Sequence, residues 1–151
     1  MTGLKIRILA KLQIMELLAE DDVTAIFQVS TSRFGLGEEG ESYKTPRGRF
    51  RICSKIGAGN PAKTVYKGRV PIPEPVDWEN ESDLITCRIL WLDGLEPRNA
   101  NSRERFIYIH GTNEEHLIGQ PASHGCVRMR NADIAHLFDL VPEGTEVEIL
   151  E

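Results

Sequence analysis

Only one stretch of this chain spaces its apolar residues as a helix does, Ile134, Leu137 and Phe138 beyond Asn131. Elsewhere thirteen glycines and eight prolines cut the 151 residues into short runs, the pattern of strands joined by turns. Strands are predicted over Leu4 to Leu9, Gln13 to Leu18 and Val23 to Ser30, the last two parted by Glu20-Asp21-Asp22. A helix across Leu12 to Ala19 is the competing reading, because Leu, Met, Glu and Ala favour helices. Further strands are predicted over Arg49 to Lys55, Leu84 to Leu92, Arg105 to Ile109 and Glu146 to Leu150, with a loop from Arg33 to Gly48. Gly57 to Asn80 carries four prolines and reads as a long surface excursion. A mainly β sandwich or barrel with one helix near the C-terminus follows, not alternating βαβ units.

The length suits one domain over residues 1–151. A net charge of -5 and a pI near 5.4 argue against nucleic acid as a partner. Lys11, Gln13 and Glu16 interrupt every apolar run near the N-terminus, so neither a secretion signal nor a membrane segment is expected. A cytoplasmic location is the expectation, or a periplasmic one if a signal was trimmed away. Three cysteines without regular spacing make no disulfide framework; Cys53 and Cys87 read as free thiols in strands, with a bridge between them left open.

The chemistry concentrates in Ser123-His124-Gly125-Cys126, with Arg128 and Asn131 just beyond, and in His110-Gly111 at the end of an apolar run. A lone intracellular cysteine is most often a small buried hydrophobe. A nucleophilic one needs a base, an electropositive setting and partial exposure, and two histidines and an arginine offer these here. The backbone N–H groups around Gly125 and Cys126 are candidate oxyanion donors. Arg128 has the fork that binds carboxylates, and Asn131 is the candidate cap of the helix. Zinc held by His110, His116, His124 and Cys126 is the weaker reading, because no paired-Cys or His-Glu-x-x-His spacing is present. His116 and His136 read as ordinary surface or packing residues. No metal or cofactor is expected.

These residues resemble the signature of the L,D-transpeptidases with a YkuD-type catalytic domain: a His, a spacer, Ser/Thr-His-Gly-Cys and a downstream Asn. The resemblance extends to Val29-Ser30-Thr31, Thr45-Pro46-Arg47-Gly48 and the last strand. It implies a β-rich fold and a peptidoglycan stem tetrapeptide or muropeptide as acyl donor. Cys126 would attack the carbonyl of the third residue, commonly meso-diaminopimelate, and expel the terminal D-Ala. His110 would be the base, oriented by the Gly111 carbonyl; His124 and Gly125 would belong to the oxyanion loop, braced by Ser123. Arg128 would bind a substrate carboxylate. Carbapenems would acylate Cys126.

Two acceptors remain open. Water makes an L,D-carboxypeptidase, expected here in cytoplasmic murein recycling because of the interrupted N-terminal run. An amine makes an L,D-transpeptidase that forms cross-links outside the membrane. A non-catalytic binder of peptidoglycan fragments is the reading from another class, and the combination of Cys126, His110 and Arg128 speaks against it.

Overall fold

The computed structural model describes residues 3–73 and 75–151. In chain order its elements are β1 (Leu4–Leu9), β2 (Ile14–Ala19), β3 (Asp22–Gln28), β4 (Gly48–Ile56), β5 (Val65–Lys67), β6 (Val70–Pro71), β7 (Ile85–Gly94), β8 (Tyr108–Gly111), β9 (Val127–Met129), α1 (Asn131–Leu140) and β10 (Glu146–Leu150). Short 3₁₀ turns lie at Pro97–Asn99 and Glu115–Leu117.

The strand reading prevails over the helix in β2, because Met15 and Leu17 are buried while Glu16 between them turns outward to pair with Arg7 at 2.8 Å. That is a period of two. β1 pairs antiparallel with β2 and parallel with β10. The sheet then runs β3-β2-β1-β10-β4-β7 and branches at β7, whose partners are β4, β5 and β8. β9 lies parallel to β8. Beyond β3, Ser30 and Arg128 exchange backbone hydrogen bonds of 2.9 Å in both directions. This bridge brings the β9 end of the sheet back to the β3 end, so the strands wrap one core.

That core holds the inward residues of nearly every strand, among them Ile6, Phe50, Leu90, Ile109, Val127 and Val147, closed off by Ile134, Leu137 and Phe138 of α1. A single helical stripe was the sequence's one 3.6-residue pattern, and it packs here.

Four expectations are corrected. The predicted strand over Arg105 to Ile109 starts only at Tyr108, because Phe106 takes a left-handed conformation with φ 57°. It also continues through Gly111, so His110 is the strand's penultimate residue. Val127–Met129 is a strand that the sequence did not predict, and Cys126 sits in the bend leading into it. The excursion is not all loop, since β5 and β6 form a small hairpin within it. Cys53, Cys87 and Cys126 are free thiols. No helix among the described residues is long and apolar enough to cross a membrane.

Candidate active site

The site is built on two parallel strands. The register sets Ile109 beside Val127 and His110 beside Arg128, and the next step back sets Tyr108 beside Cys126, whose Sγ accepts the Tyr108 N–H at 3.3 Å. Side chains alternate along a strand, so Ile109, Val127 and Met129 enter the core while Tyr108, His110, Cys126 and Arg128 share the other face. His110 and Cys126 are diagonal neighbours on that face, roughly 8 Å apart at Cα from strand spacing and rise. Parallel pairing thus brings together two residues far apart in the chain.

His110 is 2% exposed, and its Nδ1 meets the main-chain oxygen of Gly111. A carbonyl only accepts, so the hydrogen-bond network assigns the proton to Nδ1 and leaves the Nε2 lone pair free as a base. Burial lowers the His110 pKa to about 4 and pushes the Cys126 thiol up to about 11. The resting pair is therefore neutral. The thiol donates to Phe106 O at 3.3 Å, and the Tyr108 N–H aimed at Sγ favours the thiolate when it forms.

Glycine at 111 is a steric requirement: a Cβ there would collide with Asn131 Oδ1 and the Thr86 carbonyl. Asn131 does not cap α1 with its side chain, contrary to expectation. Arg130 occupies the cap position, and the Asn131 amide reaches back to Thr112 O at 2.8 Å while its Oδ1 accepts from Thr86 Oγ1 at 2.5 Å. Asn131 clamps the segment that carries His110. Glu115 meets the helix start instead, accepting the Asn131 N–H at 2.7 Å.

The loop before Cys126 is fixed by short polar contacts. Ser123 Oγ donates to Cys126 O at 2.6 Å and accepts the Gly125 N–H at 3.2 Å. Thr45 Oγ1 holds the Gly125 carbonyl at 2.9 Å. Gly125 itself has φ 128°, a conformation that favours glycine. Because Ser123 holds the Gly125 N–H, that group is not a free oxyanion donor in this state.

Arg128 departs most from expectation. It is 1% exposed and held by Asp83 on one nitrogen and by Glu114 on the other at 3.2 Å. The second Asp83 oxygen meets His124 Nδ1 at 3.0 Å. Arg128 is therefore a buried hub that ties the segment just past the excursion to the strand after Cys126, with both terminal nitrogens taken by carboxylates and only its Nε without a partner.

A cleft of about 450 Å³ opens at Cys126, walled by Tyr43, His124, Ile107, Asn101 and Arg105. Another hollow of about 490 Å³, lined by Pro61, Thr64, Pro71 and Ile72, lies away from Cys126. Phe34, Tyr43 and His124 meet in tilted and edge-to-face contacts with centroids 6.0–6.2 Å apart, forming an aromatic wall. Asp83, Arg105 and Asn101 escaped the sequence reading, since each reaches the site through tertiary contacts. Tyr108 was legible by its period-two spacing from His110. Among the described residues no three His, Cys, Asp or Glu side chains gather as a metal cluster, and His116 and His136 lie apart from the thiol.

A thiol at a strand entrance, a buried histidine on the neighbouring strand and an adjoining cleft are the arrangement that cysteine acyl transfer requires. The family model of the L,D-transpeptidase catalytic domain, YkuD, matches residues 6–149, and the chain belongs to that family. It is 28% identical over 141 residues to the putative L,D-transpeptidase YqjB of Bacillus subtilis (strain 168), covering 91% of this chain and 65% of that relative. It therefore spans less than two-thirds of that relative's length. The fold is similar to that of an L,D-transpeptidase from Xylanimonas cellulosilytica, with TM-score 0.65, 23% identity and coverage of 97% of this chain and 60% of that one. It is also similar to L,D-transpeptidase LdtMt1 in complex with imipenem, with TM-score 0.62, 20% identity and coverage of 98% and 59%.

Proposed function

We propose that Cys126 cleaves the bond between the third residue, a diaminopimelate, and the terminal D-Ala of peptidoglycan stem tetrapeptides, and passes the acyl group to water. The observation that carries the acyl-transfer reading is the neutral His110 and Cys126 pair on adjacent strands, with Nε2 as the free lone pair. Sγ gives its proton to Nε2 and attacks the carbonyl carbon; the C–N bond breaks, and His110 returns the proton to the departing amine. The thioester then meets an acceptor whose proton passes to His110 as the thiol is restored.

Water as acceptor makes the protein an L,D-carboxypeptidase acting on soluble muropeptides in the cytoplasm. Transpeptidation outside the membrane is the second reading, favoured by the names of the relatives. Tetrapeptide incubated with the protein, with and without a diaminopimelate amine acceptor, separates the two by mass spectrometry. Tripeptide and free D-Ala in both mixtures are expected. Cross-linked dimer without tripeptide would replace hydrolysis by transfer, and unchanged tetrapeptide in both would overturn catalysis in favour of a binder.

A further inference from the structure

We infer that Arg105, and not Arg128, receives the C-terminal carboxylate of the leaving amino acid, and so restricts cleavage to the last residue of a peptide. The inference rests on the proposed acyl transfer at Cys126. Arg105 directly precedes Phe106, whose carbonyl accepts the Cys126 thiol, and its side chain lines the same cleft as Sγ. The terminal carboxylate of a leaving residue lies within one residue of the scissile carbonyl, about 3.8 Å of chain. A cation beside the nucleophile is the group that reads it.

Arg105 is available for this. Its guanidinium donates to Lys44 O at 2.6 Å and Gly37 O at 3.4 Å, which fixes its plane and leaves three of the five N–H groups of an arginine. Among the described residues no carboxylate pairs with it. Partial burial strengthens any ion pair it makes. The other two arginines nearby are committed. Arg128 is buried between two carboxylates. Arg69 bonds Tyr108 Oη at 2.9 Å and stacks on Trp91 and Phe106, outside the cleft lining.

A second feature of the same cleft fits a peptide. Asn101 also lines the cleft, a polar side chain whose amide nitrogen is held by Glu38 O at 3.1 Å. Glu41 and Glu104 also line the cleft, two carboxylates that attract the ammonium half of a zwitterionic diamino-acid terminus.

The test is calorimetric binding of a tetrapeptide and its C-terminal carboxamide to the Cys126→Ala protein, with Arg105 intact and as Arg105→Gln or Arg105→Lys, alongside turnover by the unaltered protein. With Arg105 intact the carboxylate is expected to bind about thirtyfold more tightly than the carboxamide, as for loss of one partner of a buried charge pair. Arg105→Gln should bind both alike, and Arg105→Lys should retain part of the preference. The lysine variant gives the answer should the glutamine variant not fold. A preference that survives both substitutions, or that is absent with Arg105 intact, overturns the inference. Equal weakening of both peptides overturns it too, since that is what mere loosening of the Gly37 to Lys44 loop produces. Lack of turnover with the preference intact would sink the acyl-transfer reading while leaving Arg105 as a carboxylate site.

Discussion

Arg128 and Asp83 form an ion pair that fastens the segment just past the proline-rich excursion to the strand following Cys126. Arg128 is 1% exposed, so this pair, with Glu114 on the other nitrogen, compensates a guanidinium withdrawn from water. Removing the charge leaves two carboxylates facing a cavity. Arg128→Met should therefore destabilise the protein by about 3 kcal/mol, the low end for a buried pair because Asp83 and Glu114 keep contact with solvent. Urea unfolding measures it. An unchanged midpoint together with a raised KM would return Arg128 to the role of substrate ligand.

The clamp on the catalytic strand gives a second expectation. Asn131→Ala strands Thr112 O and Thr86 Oγ1 and should cost about 1–3 kcal/mol. Gly111→Ala should cost a similar amount by overpacking and also abolish turnover, because the displaced peptide carries the carbonyl that orients His110. Full activity in Gly111→Ala would contradict the close packing.

Buried His110 and partly exposed Cys126 set the pH range of stability. Below pH 6.5 the unfolded chain takes up a proton at His110 that the native state refuses until about pH 4. Stability is thus lost as pH falls through that window, on the order of 3 kcal/mol in all. Above pH 9 the unfolded chain gives up the Cys126 proton that the native state keeps to about pH 11, so stability is lost again as pH rises. Urea titrations across pH should show both limbs, with His110→Gln flattening the acid one and Cys126→Ala the alkaline one. Limbs unchanged in these variants would place the titrations elsewhere.

A neutral resting pair also governs reactivity. Iodoacetamide, which needs preformed thiolate, should alkylate Cys126 slowly at pH 7 and with a rate that climbs toward pH 11. Rapid alkylation at pH 6 would reveal a standing thiolate and imidazolium pair instead.

The sequence disclosed what depends on local spacing. The period-two burial of Met15 and Leu17, the helical stripe of Ile134, Leu137 and Phe138, and the last strand over Glu146 to Leu150 all stand where the pattern put them. It could not disclose what depends on register between distant segments. Asp83 reaches Arg128 across forty-five positions, and Asn131 satisfies Thr112 rather than its own helix. Arg105 looked like the start of a strand, but the left-handed turn at Phe106 interrupts it, and Arg105 lines the cleft. No residue near it in the chain signals that turn.

Covalent capture at Cys126 decides most directly whether this thiol is the nucleophile. Imipenem incubated with the intact protein should add the mass of one whole molecule, because opening a β-lactam expels no leaving group. Peptide mapping should place it on Cys126. The adduct should vanish in Cys126→Ala and persist when Cys53 and Cys87 are replaced by serine. An adduct that survives Cys126→Ala, or an unmodified protein after prolonged exposure, would contradict acyl transfer through Cys126.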